Sequence, residues 1–179
     1  MNRFVRGSSE TCIGCRTCMA GCVVAHEGVE MFEKSTGEYS WNPKLEIIKT
    51  KELSIAVQCK HCENAACLNS CPVEAISHID GAVILDQNEC IGCKTCILAC
   101  PYGAIDMIKK SGGRVAANKC DLCKGRDRQE CVSVCLTNTL KLVTDRTLHN
   151  STLDKRKRAS AHHAAVTPET LQREEQSKR

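Results

Sequence analysis

The stretch CIGCKTCILACPYGAI, from Cys90 to Ile105, places four thiols within eleven residues and follows the last of them with a proline. The pattern recurs, because all 16 cysteines of the 179-residue chain fall into four groups of four. Cysteine at this density is typical of disulfide scaffolds, metal proteins and redox proteins. Group one is Cys12, Cys15, Cys18 and Cys22; group two is Cys59, Cys62, Cys67 and Cys71; group three is Cys90, Cys93, Cys96 and Cys100; group four is Cys120, Cys123, Cys131 and Cys135.

The N-terminus, MNRFVRGSSETCIGC, contains neither an apolar signal region nor a twin arginine. No stretch approaches the ~18 consecutive apolar residues that a membrane-spanning helix needs. Disulfides require an oxidising compartment. We therefore expect a soluble, cytoplasmic chain whose thiols are reduced or bound to metal.

The spacing C-x2-C-x2-C-x3-C-P is the bacterial ferredoxin signature for a [4Fe–4S] cluster. Three cysteines at i, i+3 and i+6 of a tight loop reach three irons of one cube. We expect the fourth cysteine to begin a helix, point away and ligate a neighbouring cluster. Gly14 and Gly92 suit a loop that needs an unusual φ angle and brings backbone N–H groups close to sulfur.

Zinc is the main alternative to iron–sulfur. Structural zinc sites use two C-x2-C pairs separated by a dozen or more residues. A third cysteine directly after the pair, which occurs twice in this chain, does not fit one tetrahedral ion. The spacing therefore favours iron–sulfur clusters.

An internal repeat marks the middle of the chain. CPVEAI at residues 71–76 returns as CPYGAI at residues 100–105, and GAVILD at residues 81–86 reads as a strand after a turn at Asp80-Gly81. This segment looks like a complete two-cluster ferredoxin unit in which groups two and three exchange their fourth ligands. In groups one and four, Val23 and Leu136 stand where the repeat has proline. If groups two and three form a complete unit, groups one and four must pair with each other. The gap lengths alone also allow groups three and four to pair.

Several motifs together give a family resemblance: MNRFV, CIGCRTC, CKHCENAAC, CPVEAI, CIGCKTC with CPYGAI, and ANKCDLC. Over about residues 1–145 the chain resembles four-cluster electron-transfer subunits of the DMSO-reductase-type iron–sulfur superfamily. Within that superfamily it is most similar to the small subunits of formate hydrogenlyase and hydrogen-dependent carbon dioxide reductase. The resemblance implies an α+β fold of two ferredoxin-like units of the bacterial dicluster type, related by pseudo-twofold symmetry, with four [4Fe–4S] clusters in a line.

The resemblance also implies four ligand sets and a domain arrangement. An outer, discontinuous unit would span residues 1–50 and 110–145, and an inner unit residues 51–109. Set one is Cys12, Cys15, Cys18 and Cys135; set two is Cys59, Cys62, Cys67 and Cys100; set three is Cys90, Cys93, Cys96 and Cys71; set four is Cys120, Cys123, Cys131 and Cys22. Leu136 departs from the family's usual proline, which leaves open whether a helix starts after Cys135.

The connector between groups one and two contains two predicted strands, LEIIKTK and SIAVQC, after a loop marked by Gly37 and Pro43. Trp41 in this connector is a candidate docking anchor for a partner or a shield that keeps water from a cluster.

The tail, residues 146–179, has eight basic and four acidic side chains and so accounts for the whole net charge of +4. The stretch DKRKRASAHHAAV is compatible with a helix, and Thr167, Pro168 and Glu169 form a good helix start. We expect this basic helical tail to dock on neighbouring subunits and help build an oligomer or filament; a solvated, partly frayed helix is the alternative.

Other features are weaker. The run of Lys and Arg at residues 155–158 has no aromatic neighbours and does not indicate nucleic-acid binding. Paired histidines at 162–163 are typical of a solvated surface, and His61, inside CKHC, is expected to tune a cluster or lie on the surface. Four lysines next to the cysteines are expected to raise the local reduction potentials: Lys60, Lys94, Lys119 and Lys124.

The sequence shows no nucleophile–base pair, phosphate-binding glycine loop or nicotinamide fingerprint. We therefore expect a non-catalytic electron-transfer subunit of a hetero-oligomeric complex, with all substrate chemistry in its partners. The resemblance implies three of them: a molybdenum or tungsten formate dehydrogenase, an iron hydrogenase and a second four-cluster subunit. The missing C-terminal membrane helix favours the formate-metabolising branch. Two alternatives are a diffusible ferredoxin-type carrier and a protein that delivers clusters during maturation.

Overall fold

The structure is a computed structural model that describes residues 2–28 and 41–163, without the side chains of Ser111, His162 and His163. The described residues combine helices with antiparallel strands, in line with the predicted mixture of α and β structure. The helices are α1 (Thr17–Glu27), α2 (Ala66–Asn69), α3 (Thr95–Ala99), α4 (Glu130–Ser133) and α5 (Asp145–His163), with a 3-10 turn at Ser111–Gly113. The strands are β1 (Phe4–Arg6), β2 (Leu45–Lys49), β3 (Ser54–Gln58), β4 (Ile76–Ile79), β5 (Ala82–Leu85), β6 (Ile105–Lys109), β7 (Val115–Lys119) and β8 (Lys141–Val143).

The chain divides into two compact units, Met1–Val143 and Thr144–Arg179. All 16 cysteines lie in the first unit. The predicted tail therefore begins at residue 144, two residues before the expected boundary. No helix in the described ranges has the length and apolar character that crossing a bilayer requires.

The strands of the first unit form four separate two-stranded antiparallel ribbons: β1–β8, β2–β3, β4–β5 and β6–β7. Three of these ribbons each connect one cysteine group to the next along the chain. The fourth pairs the strand before group one with the strand after group four, Phe4 opposite Val143. The first unit thus alternates cysteine groups with ribbons along the chain, and the β1–β8 ribbon joins its two ends.

Two of the ribbons cross the predicted domain boundaries at residues 50 and 110. The boundary at residue 50 falls between β2 and β3, and the one at residue 110 falls between β6 and β7, so each would divide a paired ribbon. Strand β3 belongs to the same structural unit as β2, and β7 to the same unit as β6, because the two strands of each ribbon pair and share a core. A single strand of such a ribbon would not be stable without the other. The strands expected in LEIIKTK and SIAVQC are both present and pair with each other.

The turn predicted at Asp80-Gly81 joins β4 to β5. Both residues have positive φ angles, 49° and 73°, as a two-residue type I′ hairpin turn requires. Such a turn matches the right-handed twist of the strands it connects. It fixes the register that places Ile76 opposite Leu85.

Two small cores share the first unit. The outer core contains Val5, Leu45, Ile47, Ala56 and Leu140 with the thiols of groups one and four, and the inner core contains Ile76, Val83, Ile105 and Ala117 with the thiols of groups two and three. Strand β5 contributes to both cores, since Ala82 and Ile84 pack in the outer core and Val83 packs in the inner core. We call the groups and ribbons around these cores the outer half and the inner half.

Each short helix begins one residue before the third cysteine of its group, at Cys18, Cys67, Cys96 and Cys131. The expectation that the fourth cysteine begins a helix is wrong. Cys71 and Cys100 follow the ends of α2 and α3, because each precedes a proline and that residue avoids the helical conformation. Cys22, which precedes a valine, lies inside α1. Cys135 is followed by a turn at Leu136, so the helix start left open there is absent.

The loops of groups one and three have the same backbone conformation. Gly14 and Gly92 have φ angles of 70° and 72°, and the next residue but one, Arg16 or Lys94, is also left-handed before its helix begins. A Cβ atom at Gly92 would lie 2.6 Å from the carbonyl oxygen of Val115. The positive φ angle predicted for both glycines is confirmed, and at Gly92 the loop also lies close to the backbone of β7.

The second unit contains α5, whose described side chains are exposed except for the half-buried Ala161. Thr144 and Thr147 cap its start reciprocally: each backbone N–H donates to the other hydroxyl, at 2.7 Å and 3.4 Å. The helix covers most of the stretch predicted to be helical. The predicted helix start at Thr167–Glu169 lies outside the described residues, as do the side chains of His162 and His163.

Candidate iron–sulfur centres

Set one surrounds a small cavity in the outer half. Its wall contains Cys12, Cys15 and Cys18 from group one together with Cys135 from group four, 117 residues further along the chain than Cys18. Ile47 and Ala56 of the β2–β3 ribbon and Leu140 close the cavity on other sides. Three thiols of one loop thus meet a fourth from a distant segment.

Sets two and three each surround a comparable cavity in the inner half. The cavity of set two is lined by Cys59, Cys62, Cys67 and Cys100. The cavity of set three is lined by Cys71, Cys90, Cys93 and Cys96. Groups two and three therefore exchange their fourth cysteines in space, as groups one and four do for Cys135.

The thiols of set four are close enough to interact electrostatically. Burial raises the pKa of the Cys131 thiol, and the charges of Cys120, Cys22 and Cys123 raise it further. Cys22 and Cys131 both lie in the outer core, with Cys120 packed against it. The structure thus brings Cys22 of group one next to the cysteines of group four.

Backbone N–H groups donate to at least one sulfur in each group. The donors are Lys44 to Cys22 at 3.3 Å and His61 to Cys59, Ala117 to Cys90 and Leu122 to Cys120, each at 3.4 Å. Donors aimed at sulfur stabilise thiolates and the more reduced state of an iron–sulfur cluster. The ribbons supply some of these donors, since Ala117 lies in β7.

Threonine hydroxyls contact the most exposed thiols. Thr17 donates to Cys15 at 3.4 Å and Thr95 donates to Cys93 at 3.3 Å. In each case this hydroxyl bond is the main cause of a lowered thiol pKa. The two threonines occupy the same position in CRTC and CKTC, a repeat that could have identified them from the sequence.

Buried thiols behave in the opposite way. Burial raises the pKa of Cys18 to about 11 and that of Cys120 to about 12. Metal binding requires thiolates, so loading these sites must release protons. The structure describes no group of three or more His, Cys, Asp or Glu side chains spaced for one metal ion; the thiols surround cavities instead.

A charged network lies beside set four. His26 contacts Asp121 at 3.0 Å and the carbonyl oxygen of Cys22 at 2.7 Å, while Lys44 donates to Asp121 at 2.6 Å. Burial alone would lower the pKa of His26, but its hydrogen bonds with Asp121 and Cys22 raise it to about 9. Sequence reasoning missed this network because His26 and Asp121 are 95 residues apart.

Two buried polar side chains indicate that a group with acceptor atoms belongs in this region. His61 is fully buried, and its Nδ1 accepts the N–H of Val83 at 3.0 Å. Burial lowers its pKa to about 3, so the ring is neutral and its proton lies on Nε2, which has no partner among the described residues. The side-chain amide of Gln58, which precedes Cys59, is also unpartnered within the described part of the chain. Thiolates and sulfides of bound clusters would supply such acceptors, and the four-thiol sets fit them.

Other predicted residues have clear positions. His61 is buried, which excludes the expected surface alternative. Trp41 is 46% exposed and lies outside the cavities of sets one to three, so docking and shielding both stay predictions. Among the predicted lysines, Lys119 is buried, Lys94 and Lys124 are exposed, and Lys60 is half-buried.

Family comparisons agree with this chemistry. Residues 50–145 match the 4Fe-4S dicluster domain, and residues 9–24 match a 4Fe-4S binding domain. The first match covers more than half of the chain and three of the four cysteine groups. Both matching models describe domains that bind 4Fe-4S clusters.

Three relatives from Escherichia coli (strain K12) match most of this chain, and one of them is named an electron transport protein. It is 40% identical over 173 residues to the electron transport protein HydN, with 89% of this chain and 98% of HydN covered. It is 32% identical over 196 residues to hydrogenase-4 component A, with 90% and 92% covered. It is 39% identical over 165 residues to AegA, of which it spans only 25% while 89% of this chain is covered.

Proposed function

We propose that this chain, which belongs to the 4Fe-4S dicluster domain family, carries electrons through four [4Fe–4S] clusters held by sets one to four. One observation supports this above all: three cavities are each lined by three thiols of one group and a fourth from its partner group. Each bound cluster takes up and releases one electron without rearranging bonds. The protein is an iron–sulfur electron transport protein, and it needs no catalytic residue of its own for this role.

We place the sets in the order three, two, four, one. Exchanged cysteines make sets three and two neighbours, and likewise sets four and one. Sets two and four are neighbours because the charge of Cys59 acts on the Cys120 thiol. The repeated loop conformations of groups one and three support the pseudo-twofold relation between the two halves.

Sets one and three, at the ends of this order, are the points where electrons enter and leave. Their ligands Cys15 and Cys93 are exposed, whereas Cys59, Cys67, Cys123 and Cys131 of the middle sets are buried. Apolar side chains beside the exposed thiols, Ile13 at 58% and Ile91 at 63% exposure, give each end a surface that a partner can cover. Burial of the middle sets keeps water away from the electron path.

We propose as partners a formate dehydrogenase catalytic subunit, an iron hydrogenase subunit and a second four-cluster iron–sulfur subunit. This places the chain in the formate hydrogenlyase branch of the DMSO-reductase-type superfamily, in the cytoplasm. The similarity to hydrogenase-4 component A and to HydN supports an association with hydrogen metabolism. The basic helix α5 supports a hetero-oligomer held through the tail, because its exposed charges suit an acidic partner surface.

The test is an anaerobic affinity purification from the native host, with iron counted and partners identified by mass spectrometry. We expect roughly 16 irons per chain and co-purification of a formate dehydrogenase with a hydrogenase. An iron-loaded chain without partners would instead support a diffusible carrier. Rapid transfer of iron to an added apo-ferredoxin would support a cluster-delivery protein, and a colourless zinc protein would contradict all three functions.

A further inference from the structure

Lys119 is a buried lysine at the end of β7. It is 3% exposed, and its Nζ donates to the carbonyl oxygens of Cys120, at 2.8 Å, and Val83. The ion pairs formed by the described residues do not include it. A buried ammonium that has only neutral carbonyl partners is costly unless an anionic group lies nearby.

The position of Lys119 links two thiol sets. Cys120, which follows it, belongs to set four, and Val83 lines the cavity of set two. Its positive charge opposes the rise in pKa that burial causes at Cys62 and Cys67 of set two and at Cys120 of set four. Lys119 therefore lies at the junction of the two middle sets.

The equivalent position in the other half is occupied by an uncharged residue. Gln58 ends β3 and precedes Cys59, just as Lys119 ends β7 and precedes Cys120. Both side chains are buried, at 1% and 3% exposure. The repeat thus has an amide on one side and a cation on the other.

We propose that the Lys119 ammonium is a shared counter-charge for sets two and four, and that it holds both middle clusters at higher reduction potentials than the two end clusters. The proposal rests on the proposed function, since it assumes clusters in both sets. Thiolate-ligated clusters supply the anionic charge that a buried cation needs. A cation shielded from solvent favours the more negative, reduced state of each neighbour, and salt screens it little.

The test is Lys119→Gln, which copies the residue found at position 58. We expect two of the four couples to move to lower potential in an anaerobic redox titration followed by electron paramagnetic resonance. At a fixed ambient potential, their reduced-to-oxidised ratio should fall at least tenfold, which corresponds to about 59 mV for a one-electron couple. The other two couples should keep their potentials.

Lys124→Gln is the matched control, because Lys124 is exposed and follows the set four ligand Cys123. It removes the same charge, but solvent screens that charge, so we expect a much smaller shift. Equal shifts in the two variants would show a net-charge effect and overturn the proposal. A purely structural Lys119 would lower the unfolding temperature of Lys119→Gln without moving any potential, which would also overturn it.

Iron content separates this proposal from the proposed function. Wild-type protein with far fewer than roughly 16 irons per chain would contradict the four-cluster function itself. If Lys119→Gln does not load iron, the proposal is tested in variants that retain Lys119. Cys15→Ser and Cys93→Ser alter the end clusters, so only low-potential couples should change; movement of either of the two highest couples would refute the inference.

Discussion

The inner half is built from cysteine groups that are neighbours in sequence, whereas the outer half joins segments about a hundred residues apart. In the inner half, prolines after Cys71 and Cys100 stop short helices and leave the fourth thiol in a turn. In the outer half, no proline follows Cys22, and α1 continues for five residues beyond it, to Glu27. The fourth thiols are thus positioned by local sequence in the inner half and by contacts between distant segments in the outer half.

The outer half shows what those distant contacts are. Asp121 of group four binds His26 and Lys44, and Arg126 donates to the carbonyl oxygen of Ala25 at the end of α1. Helix α1 also packs closely on the segment after α4, since a Cβ at Gly21 would lie 2.7 Å from a methyl group of Val134. Only a small side chain fits there. The outer half therefore depends on contacts that the inner half does not need.

Replacing a fourth ligand should have the largest effect. Cys100→Ala should remove the cluster of set two, although Cys100 belongs to group three, because its thiol lines the set two cavity. We expect iron to fall from roughly 16 to about 12 per chain. Cys135→Ala should have the same effect on set one. Iron analysis and Mössbauer spectroscopy of the anaerobic proteins would measure both losses.

Serial double variants identify which cluster is lost. Cys100→Ala combined with Cys59→Ala should lose no more iron than Cys100→Ala alone, since both remove set two. The double variant Cys100→Ala with Cys90→Ala should lose about four more irons than Cys100→Ala alone. The reverse result would show that each group holds its own four-thiol cluster and would contradict the exchange of ligands.

The equivalent glycines of the two halves should differ in their tolerance of alanine. Both variants require a positive φ angle, which costs about 1 kcal/mol for a residue with a Cβ. At Gly92 the Cβ meets a backbone carbonyl oxygen at 2.6 Å, while at Gly14 it meets the side-chain hydroxyl of Ser54 at 2.7 Å. Because the hydroxyl can rotate and the ribbon cannot, Gly92→Ala should cost about 1–3 kcal/mol more. Denaturant unfolding of the iron-loaded proteins measures the difference; equal losses would contradict it.

The sequence predicted the chemistry and the local structure well. Cysteine spacing predicted the iron–sulfur chemistry, and Asp80-Gly81 predicted a turn, because the conformation of a turn depends on residues adjacent in sequence. The positions of Cys71 and Cys100 beyond the ends of their helices also follow from a local rule, because a residue before proline avoids the helical conformation. Local patterns could not reveal the contact of Asp121 with His26, or the pairing of β1 with β8, because each joins remote segments.

The His26–Asp121 contact predicts a pH dependence confined to the outer half. The folded pKa of His26 is raised from 6.5 to about 9, so its stabilisation is complete below about pH 6.5 and is lost as the pH rises through about 9. Asp121 has a lowered pKa, so it remains charged through this range. We expect the free energy of unfolding to fall by about 2 kcal/mol between about pH 6 and pH 10, measured on anaerobic iron-loaded protein.

His26→Gln should remove this pH dependence, and His78→Gln is the matched control because His78 is exposed in β4 of the inner half. A pH profile that is unchanged in His26→Gln would show that another group titrates. A negatively charged cluster in set four would raise the pKa of His26 further, so bound iron strengthens the expected trend. Hydrogen exchange should show the loss of protection in α1 before α3.

The smallest effect should come from the threonines beside the end sets, where the two halves are most alike. Thr17→Val and Thr95→Val each remove one hydroxyl donor to an exposed thiol, at 3.4 Å from Cys15 and 3.3 Å from Cys93. Losing a donor to sulfur should lower the potential of one end cluster slightly, and by less than removal of a buried charge. Thr17→Ser and Thr95→Ser keep the hydroxyl donor and should leave the reduction potentials of both end clusters unchanged. Redox titration distinguishes these outcomes: a shift in Thr17→Val alone would show that the two ends are tuned by different groups despite their identical loops.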